Sequence, residues 1–318
     1  MARVFVSGAA GFVGFHSAFA LLKSGHQVCG YDNLNDYYDP RLKKLRLEIL
    51  QDYSNFSFVK ADLTDTKSLQ AAWQKFQPEK VLHLAAQAGV RYSLEAPHLY
   101  IQSNIVGFQN IIELARADKI TNFVYASSSS VYGGIKELPF VEDFAVNQPI
   151  SLYAATKISN EMVAKSYSHL FELPTTGLRF FTAYGPYSRP DMAIYKFAEL
   201  ISLNQEIPVF GEGKMRRDYT YIDDIVAGII AALDKPEFGA IYNLGKGQNY
   251  DLFEMIRLLE TALGRRAKYY HQPKLDCEIE ITLADIDRAR KNLNYDPKTD
   301  LETGLKHFAN WFQEYWEQ

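Results

Sequence analysis

The run Gly8-Ala9-Ala10-Gly11-Phe12-Val13-Gly14 stands between a strand-like segment, Arg3 to Ser7, and a helical pattern that continues through Leu22. Glycines at these points let the chain turn tightly. They also let the backbone approach a pyrophosphate at a helix N-terminus, where free N–H groups and the helix dipole favour an anion. A glycine triplet serves equally as a plain strand-to-helix turn, so its surroundings decide. The next β-rich run, Gln27 to Asp32, ends in a carboxylate eighteen residues after Gly14, where an acid can accept hydrogen bonds from an adenosine ribose. The same carboxylate would repel a 2′-phosphate, so the pattern selects NAD over NADP.

Outward from this turn, short β-rich runs alternate with helical patterns: Phe56 to Lys60, Val81 to Ala85, Asn122 to Ser127 and Thr175 to Phe180. That rhythm predicts an α/β fold with a doubly wound parallel Rossmann sheet. Runs such as VLHLAA are apolar on both faces, as strands covered by helices on each side must be. Past Ala183 the rhythm changes to Gly- and Pro-punctuated loops (YGPYSRPDM, VFGEGKMRRD) and one apolar helical run, Ile225 to Leu233. Residues 1–180 are therefore expected to form the NAD-binding Rossmann domain. Residues 181–318 are expected to form mainly a smaller C-terminal α/β substrate domain, with parts returning to the sheet.

Further cofactor contacts are expected where β-rich runs end. Asp62, closing KADL, either faces the adenine or caps a helix, and Ala85, Ala86 and Gln87 are small or polar residues beside which a cofactor can pass close to the backbone. Asn33, Asn35, Leu63, Leu84 and Asn104 complete the expected set, with Phe12 and Val13 in the turn itself.

Composition limits the partners. The 318 residues are 47% apolar and 23% charged, enough to bury a substantial core, and the net charge is −4. Nucleic acid or an anionic membrane surface would need a broad basic excess, so neither is expected, and any anionic ligand must meet a local basic cluster. The two cysteines, Cys29 and Cys277, have no CxxC or Cys/His spacing, so no metal site or disulfide framework is expected and a reducing cytoplasm fits. Met1 to Val6 runs straight into a strand without the pattern of a signal peptide. Ile225 to Leu233 is far shorter than the ~20 residues of a membrane helix.

Tyr153-Ala-Ala-Thr-Lys157 lies near the start of a helical segment opened by Pro149. A spacing of four puts the phenol and the ammonium on one helix face. Lys157 and a positive nicotinamide ring can then stabilise a phenolate, lower the pKa of Tyr153 and make it a base. Taken alone, such a pair is common on solvated helix faces. Behind a dinucleotide turn, and after the serine run Ser127 to Ser130 that ends the fifth strand, the catalytic reading prevails.

The GxxGxxG turn, the YxxxK pair and the run SSSSVYG together resemble the extended short-chain dehydrogenase/reductase family, over essentially the whole chain. The resemblance implies a triad of Ser128, Tyr153 and Lys157. Ser128 would hydrogen-bond the reacting sugar hydroxyl, Tyr153 would remove its proton, Lys157 would hold the nicotinamide ribose, and hydride would pass to NAD. Family members that dehydrate or decarboxylate a sugar nucleotide carry an acid in the segment matching Ser128-Ser129-Ser130, where this chain has only hydroxyls. That implies the simpler course of a 4-epimerase: oxidation at C4, rotation of the 4-keto sugar and return of the hydride.

Within the family, the runs GFHSA, YDNLNDYYDPRLK, AAQAGVRYS, GPYSRPDMAIYKF and GKMRRDYTYIDDI resemble UDP-glucuronate 4-epimerases. The implied substrate is a UDP-hexuronic acid, UDP-glucuronate being converted to UDP-galacturonate, and the implied assembly is a homodimer through helices of the NAD domain. Ser129 and Ser130 would hold the uronate carboxylate. Arg189 and Arg217 would grip the UDP-sugar, Arg217 at the diphosphate, although KMRR also reads as a solvated basic loop. Arg91 is a further substrate-side candidate, Thr182 falls near the phosphates, and Val209 and Phe210 would bracket the uracil. His83, inside an apolar strand, reads as a core residue. Where the family reads close to Pro-Gly-Asp-Val, this chain has Asp276-Cys277-Glu278-Ile279, a departure that bears on nucleotide grip. Epimerases of neutral UDP-hexoses or UDP-N-acetylhexosamines come next, then a 4,6-dehydratase. An NAD-sensing binding protein need not keep all three triad residues.

Overall fold

Residues 1–273 and 279–316 are described by a computed structural model of the chain, so the Asp276-Cys277-Glu278 departure lies outside the described residues. Six strands fall where the alternating pattern places them: β1 (Arg3–Ser7), β2 (Gln27–Asp32), β3 (Phe56–Lys60), β4 (Lys80–His83), β5 (Asn122–Ser128) and β6 (Thr175–Phe180). A seventh, Phe238–Leu244, pairs with β6, giving the order Phe238–Leu244, β6, β5, β4, β1, β2, β3. Every pairing is parallel. β4 stops at His83, short of the expected Ala85, because Leu84 and Ala85 leave the ladder to line a cavity.

Alternation along the strands divides the core. On β1, Val4 and Val6 join the cluster that holds Phe15, Leu21, Ile225 and Ile229, while Phe5 joins Trp73, Ile111 and Phe123 on the other face. The first face is covered by helix Phe12–Lys23 packed on helix Ile222–Asp234, the second by Gly107–Ala117 and Leu152–Phe171. With apolar cover on both sides, every residue of β5 is buried.

The strand order reverses between β1 and β4. Helices leaving their C-terminal ends there diverge to opposite faces, which opens a crevice at the switch point. A further core gathers helices Ala193–Ser202, Leu252–Leu263 and Leu301–Trp316 with the parallel pair Glu206–Phe210 and Lys268–Gln272. Residues from this part and from the sheet line one cavity. No helix among the described residues is long and apolar enough to cross a membrane, and no group of three or more His, Cys, Asp or Glu among them could hold a metal ion.

Candidate active site

The cavity measures about 970 Å³ and opens over the C-terminal ends of β1, β2, β4 and β5. One wall is the glycine turn. Gly8 sits at φ +75°, and a Cβ there would come within 2.7 Å of the Ala85 nitrogen. A Cβ on Gly14 would lie 1.9 Å from the Gly8 carbonyl oxygen, so the first turn of helix Phe12–Lys23 can close on the strand end only without a side chain. Gly11 is the N-cap and offers no capping side chain, and Gly8, Gly11, Phe12, Val13 and Gly14 all line the cavity. This is a cradle for an anion at a helix N-terminus and fits the pyrophosphate of a dinucleotide.

Asp32, at the end of β2, lines the cavity while its two oxygens accept the Ala10 N–H (3.1 Å) and the Leu34 N–H (2.8 Å). Each carboxylate oxygen keeps a lone pair for a ribose hydroxyl. Burial pushes Asp32 upward, opposed by the Leu34 N–H and by the charge of Lys43. Asn33 donates to Asp62 at 2.6 Å, and both line the cavity with Asn35, Leu63, Leu84, Ala85, Ala86 and Gln87. Asp62 caps no helix, since Asp65 does that work for Thr66–Phe76.

Two expected cofactor residues stand elsewhere. The Ala10 N–H is spent on Asp32 and its carbonyl on Arg46, and the residue is fully buried away from the cavity wall. Asn104 lies in a single wide π-turn, Ile101–Val106, and is also buried off the wall. Its carboxamide accepts from the Gln87 N–H (2.8 Å) and donates to the Gln87 carbonyl (3.0 Å) and to the Thr156 hydroxyl (3.0 Å). Asn104 thus supports a lining residue and is not one itself.

Ser128 ends β5, and its hydroxyl accepts the Ser130 N–H at 3.1 Å. Helix Leu152–Phe171 is capped by Ser151, which accepts the Ala154 N–H, so Pro149 stands outside the cap. Within the first turn, Tyr153 is buried and hydrogen-bonded to Ser128. Lys157 donates to the Ala126 carbonyl at 2.8 Å, with its ammonium 6.0 Å from the centre of the Tyr153 ring. All three line the cavity. Burial raises the Tyr153 phenol above its ordinary range, opposed by the Ser128 hydrogen bond and by the charge of Arg189. Lys157 spends one N–H on the Ala126 carbonyl and keeps its charge and its remaining donors on the cavity side of the phenol. Burial pulls Lys157 itself down to about 8, opposed by the charge of Glu161. Glu161, one turn further on, accepts from the Ser127 hydroxyl (2.5 Å) and pairs with Arg179 (2.8 Å), bracing the serine run from beneath.

On the facing wall, the Arg189 guanidinium makes a two-point pair with Asp191 (2.9 and 2.5 Å), which also accepts from the Tyr37 phenol (3.0 Å). Arg91 stacks 4.3 Å over the Phe210 ring, and Arg217 donates to the carbonyls of Arg216 and Glu280. These residues line the cavity with Ser129, Ser130 and Thr182. Val209 does not: in strand Glu206–Phe210 the side chains of Pro208 and Phe210 face the cavity, and Val209, pointing the opposite way, is fully buried in the adjoining core. His83 is buried against Ser7 (2.7 Å) and lowered to about 3 by desolvation, as a core histidine is. Sequence reasoning left Tyr37, Tyr38, Lys43 and Asp191 unassigned. Lys43 and Arg46 follow the Asp39 cap by four and seven residues, on one helix face, a signal that could have drawn attention to that face.

The family model described as GDP-mannose 4,6 dehydratase matches residues 5–308. The chain is 48% identical to an uncharacterized protein of Methanocaldococcus jannaschii, covering 98% of this chain and 96% of that one. It is 43% identical to the UDP-glucuronate 4-epimerase of Thermodesulfobacterium geofontis, covering 99% and 97%. Among solved structures, UDP-glucuronic acid 4-epimerase from Bacillus cereus in complex with UDP-glucuronic acid and NAD aligns with a TM-score of 0.92 at 34% identity, over 98% of this chain and 99% of that one. With the glycine turn, the Ser128–Tyr153–Lys157 group and these likenesses in agreement, the chain belongs to the extended short-chain dehydrogenase/reductase family.

Proposed function

We propose that the chain inverts C4 of a UDP-hexuronic acid, interconverting UDP-glucuronate and UDP-galacturonate, with NAD held on the glycine turn. The observation that carries this reading is the placement of Ser128, Tyr153 and Lys157 on one cavity with the glycine turn, beside a segment, Ser128 to Ser130, that supplies hydroxyls and no acid. NAD, when bound, supplies an acceptor for the C4 hydride and the same hydride for return. Ser128 orients the C4 hydroxyl, and Tyr153 takes its proton and gives it back. Lys157 supplies a buried positive charge within reach of the phenol and of a ribose. A dehydration would need a further acid/base in the serine segment, so the likeness to a dehydratase model reflects shared fold and cofactor use. In this reading Ser129 and Ser130 hold the uronate carboxylate, Arg189 and Arg217 hold the sugar diphosphate, and Phe210 faces the base, all five lining the cavity with the glycine turn and the triad.

Residues 1–180, joined by strand Phe238–Leu244, serve as the dinucleotide domain in this reading, and the remainder is mainly the substrate domain. We further infer a cytoplasmic homodimer: Ile101, Met162, Leu170 and Phe171 expose apolar surface on neighbouring helices of the dinucleotide half. The decisive experiment offers the purified protein UDP-glucuronate, UDP-glucose and UDP-N-acetylglucosamine and follows the C4 proton by NMR. Inversion of the uronate, with a C4 label retained, is expected. Inversion of a neutral sugar alone would overturn the uronate reading, and label lost to solvent would overturn hydride return.

A further inference from the structure

Arg46, in helix Pro40–Gln51, is completely buried, and among the described residues its guanidinium hydrogen-bonds only to oxygens that carry no formal charge, with the Asp32 carboxylate acting on it at longer range. It donates to the Ala10 carbonyl (2.8 Å), the Tyr38 phenol (2.7 Å), the Tyr187 carbonyl (2.6 Å) and, at longer range, the Ser188 carbonyl (3.4 Å). Its Nε has no partner among the described residues. A buried arginine without a paired carboxylate is costly, and a long apolar side chain would fill the same space. What such a chain could not do is hold two backbones at once. Ala10 belongs to the glycine turn, and Tyr187 and Ser188 lead directly into Arg189. Tyr187 is held at φ +58°, a left-handed conformation that a bulky residue resists, and its carbonyl is one that Arg46 grips.

We propose that Arg46 is a positioning residue that couples the two halves of the cavity, fixing the glycine turn and the Arg189 loop to a single guanidinium fork. A fork of fixed geometry transmits placement in a way that separate contacts do not. A dinucleotide seated on the turn and a nucleotide held by the Arg189 loop then stabilise the same arrangement, and the coupling is reciprocal. This inference rests on the reading of the cavity as one shared by NAD and a UDP-sugar.

The test uses the NAD-loaded protein and the release rate of NAD on dilution, with and without saturating UDP. In the unaltered protein, UDP is expected to slow release by about tenfold, within the usual range of coupling between sites. Arg46→Lys keeps a charge but replaces the fork, and should release NAD faster with the UDP effect reduced below about twofold. If Arg46→Lys does not fold, Tyr38→Phe removes one of the fork's partners and keeps the ring, and the same measurement should show the UDP effect at least halved. A variant that only loses thermal stability while UDP still slows release as before makes Arg46 a structural staple and overturns the proposal. UDP-glucuronate turnover in the unaltered protein without any UDP effect on NAD release would also overturn it, leaving the epimerase reading intact. Absence of turnover with the UDP effect present would sink the epimerase reading and leave the coupling standing.

Discussion

The cavity wall built by β1, β2 and the glycine turn is largely backbone, whereas the facing wall presents guanidinium groups already engaged within the protein. Gly8, Gly11 and Gly14, in the proposed reading, would recognise by close approach, and at Gly8 and Gly14 added atoms have nowhere to go. Arg189 and Arg217, in the proposed reading, would recognise by sharing or exchanging partners that they already hold, Asp191 for one and two carbonyls for the other. The first kind of wall should fail abruptly when altered and the second by degrees. Tyr153 stands between them, and the largest effect belongs there.

Tyr153→Phe removes one hydroxyl from a buried ring that otherwise keeps its packing. Turnover should fall by about 10³-fold, the usual worth of a positioned proton-transfer group, while NAD retention and the melting temperature stay near those of the parent. Residual turnover within tenfold would move the base elsewhere. Its neighbour Lys157 leaves a signature in stability. With its folded pKa at about 8 against an ordinary 10.5, the unfolded chain between those values binds a proton that the folded chain does not. This group's contribution to stability therefore rises with pH across that window. Lys157→Met should abolish that rise in denaturant titrations at pH 8 and pH 10, and parallel curves for variant and parent would contradict the depressed value.

Gly14→Ala tests the backbone wall. A Cβ 1.9 Å from the Gly8 oxygen forces the helix start away from the strand end, at a cost of about 3 kcal/mol or more, and NAD affinity should fall by about a hundredfold. Gly11→Ala meets the same oxygen at 3.0 Å and should cost much less. Equal effects at the two positions, in melting temperature and NAD titration, would mean that glycine is needed there for some reason other than space.

The backbone wall was also the legible one. A turn that must be glycine, strands that must be apolar on both faces and an acid at a strand end are local demands, and they appear in sequence as short runs with fixed spacing. Asn104 and Ala10 show where that legibility stops: each sits in the expected neighbourhood, but which polar group it serves depends on Gln87, Thr156, Asp32 and Arg46, brought in by the fold. On the facing wall, Tyr37 comes from the segment after β2 to meet Asp191, a contact between residues 154 positions apart. No periodicity encodes such a meeting.

Arg217→Ala probes the graded wall. Loss of one charged donor set should raise the KM for the UDP-uronate by about ten- to a hundredfold, with NAD release unchanged. A change in NAD release instead would place Arg217 on the wrong side of the comparison. The same separation should hold between this variant and Gly14→Ala, one touching substrate terms only and the other cofactor terms first.

The smallest effects come from two adjacent residues of strand Glu206–Phe210, and they sharpen the comparison most closely. Phe210 faces the cavity under the Arg91 guanidinium, whereas Val209, one residue earlier, is sealed in the adjoining core with Ile207. Phe210→Ala removes an aromatic face and takes that ring from under the Arg91 guanidinium, which should raise KM by about three- to tenfold with little change in stability. Val209→Ala removes two buried methyl groups, which should lower stability by about 2 kcal/mol and leave KM as it was. If both variants raise KM alike, the strand lies one residue out of the described register. The base-facing surface would then include Val209 after all, because a one-residue slip exchanges every side chain between the two faces.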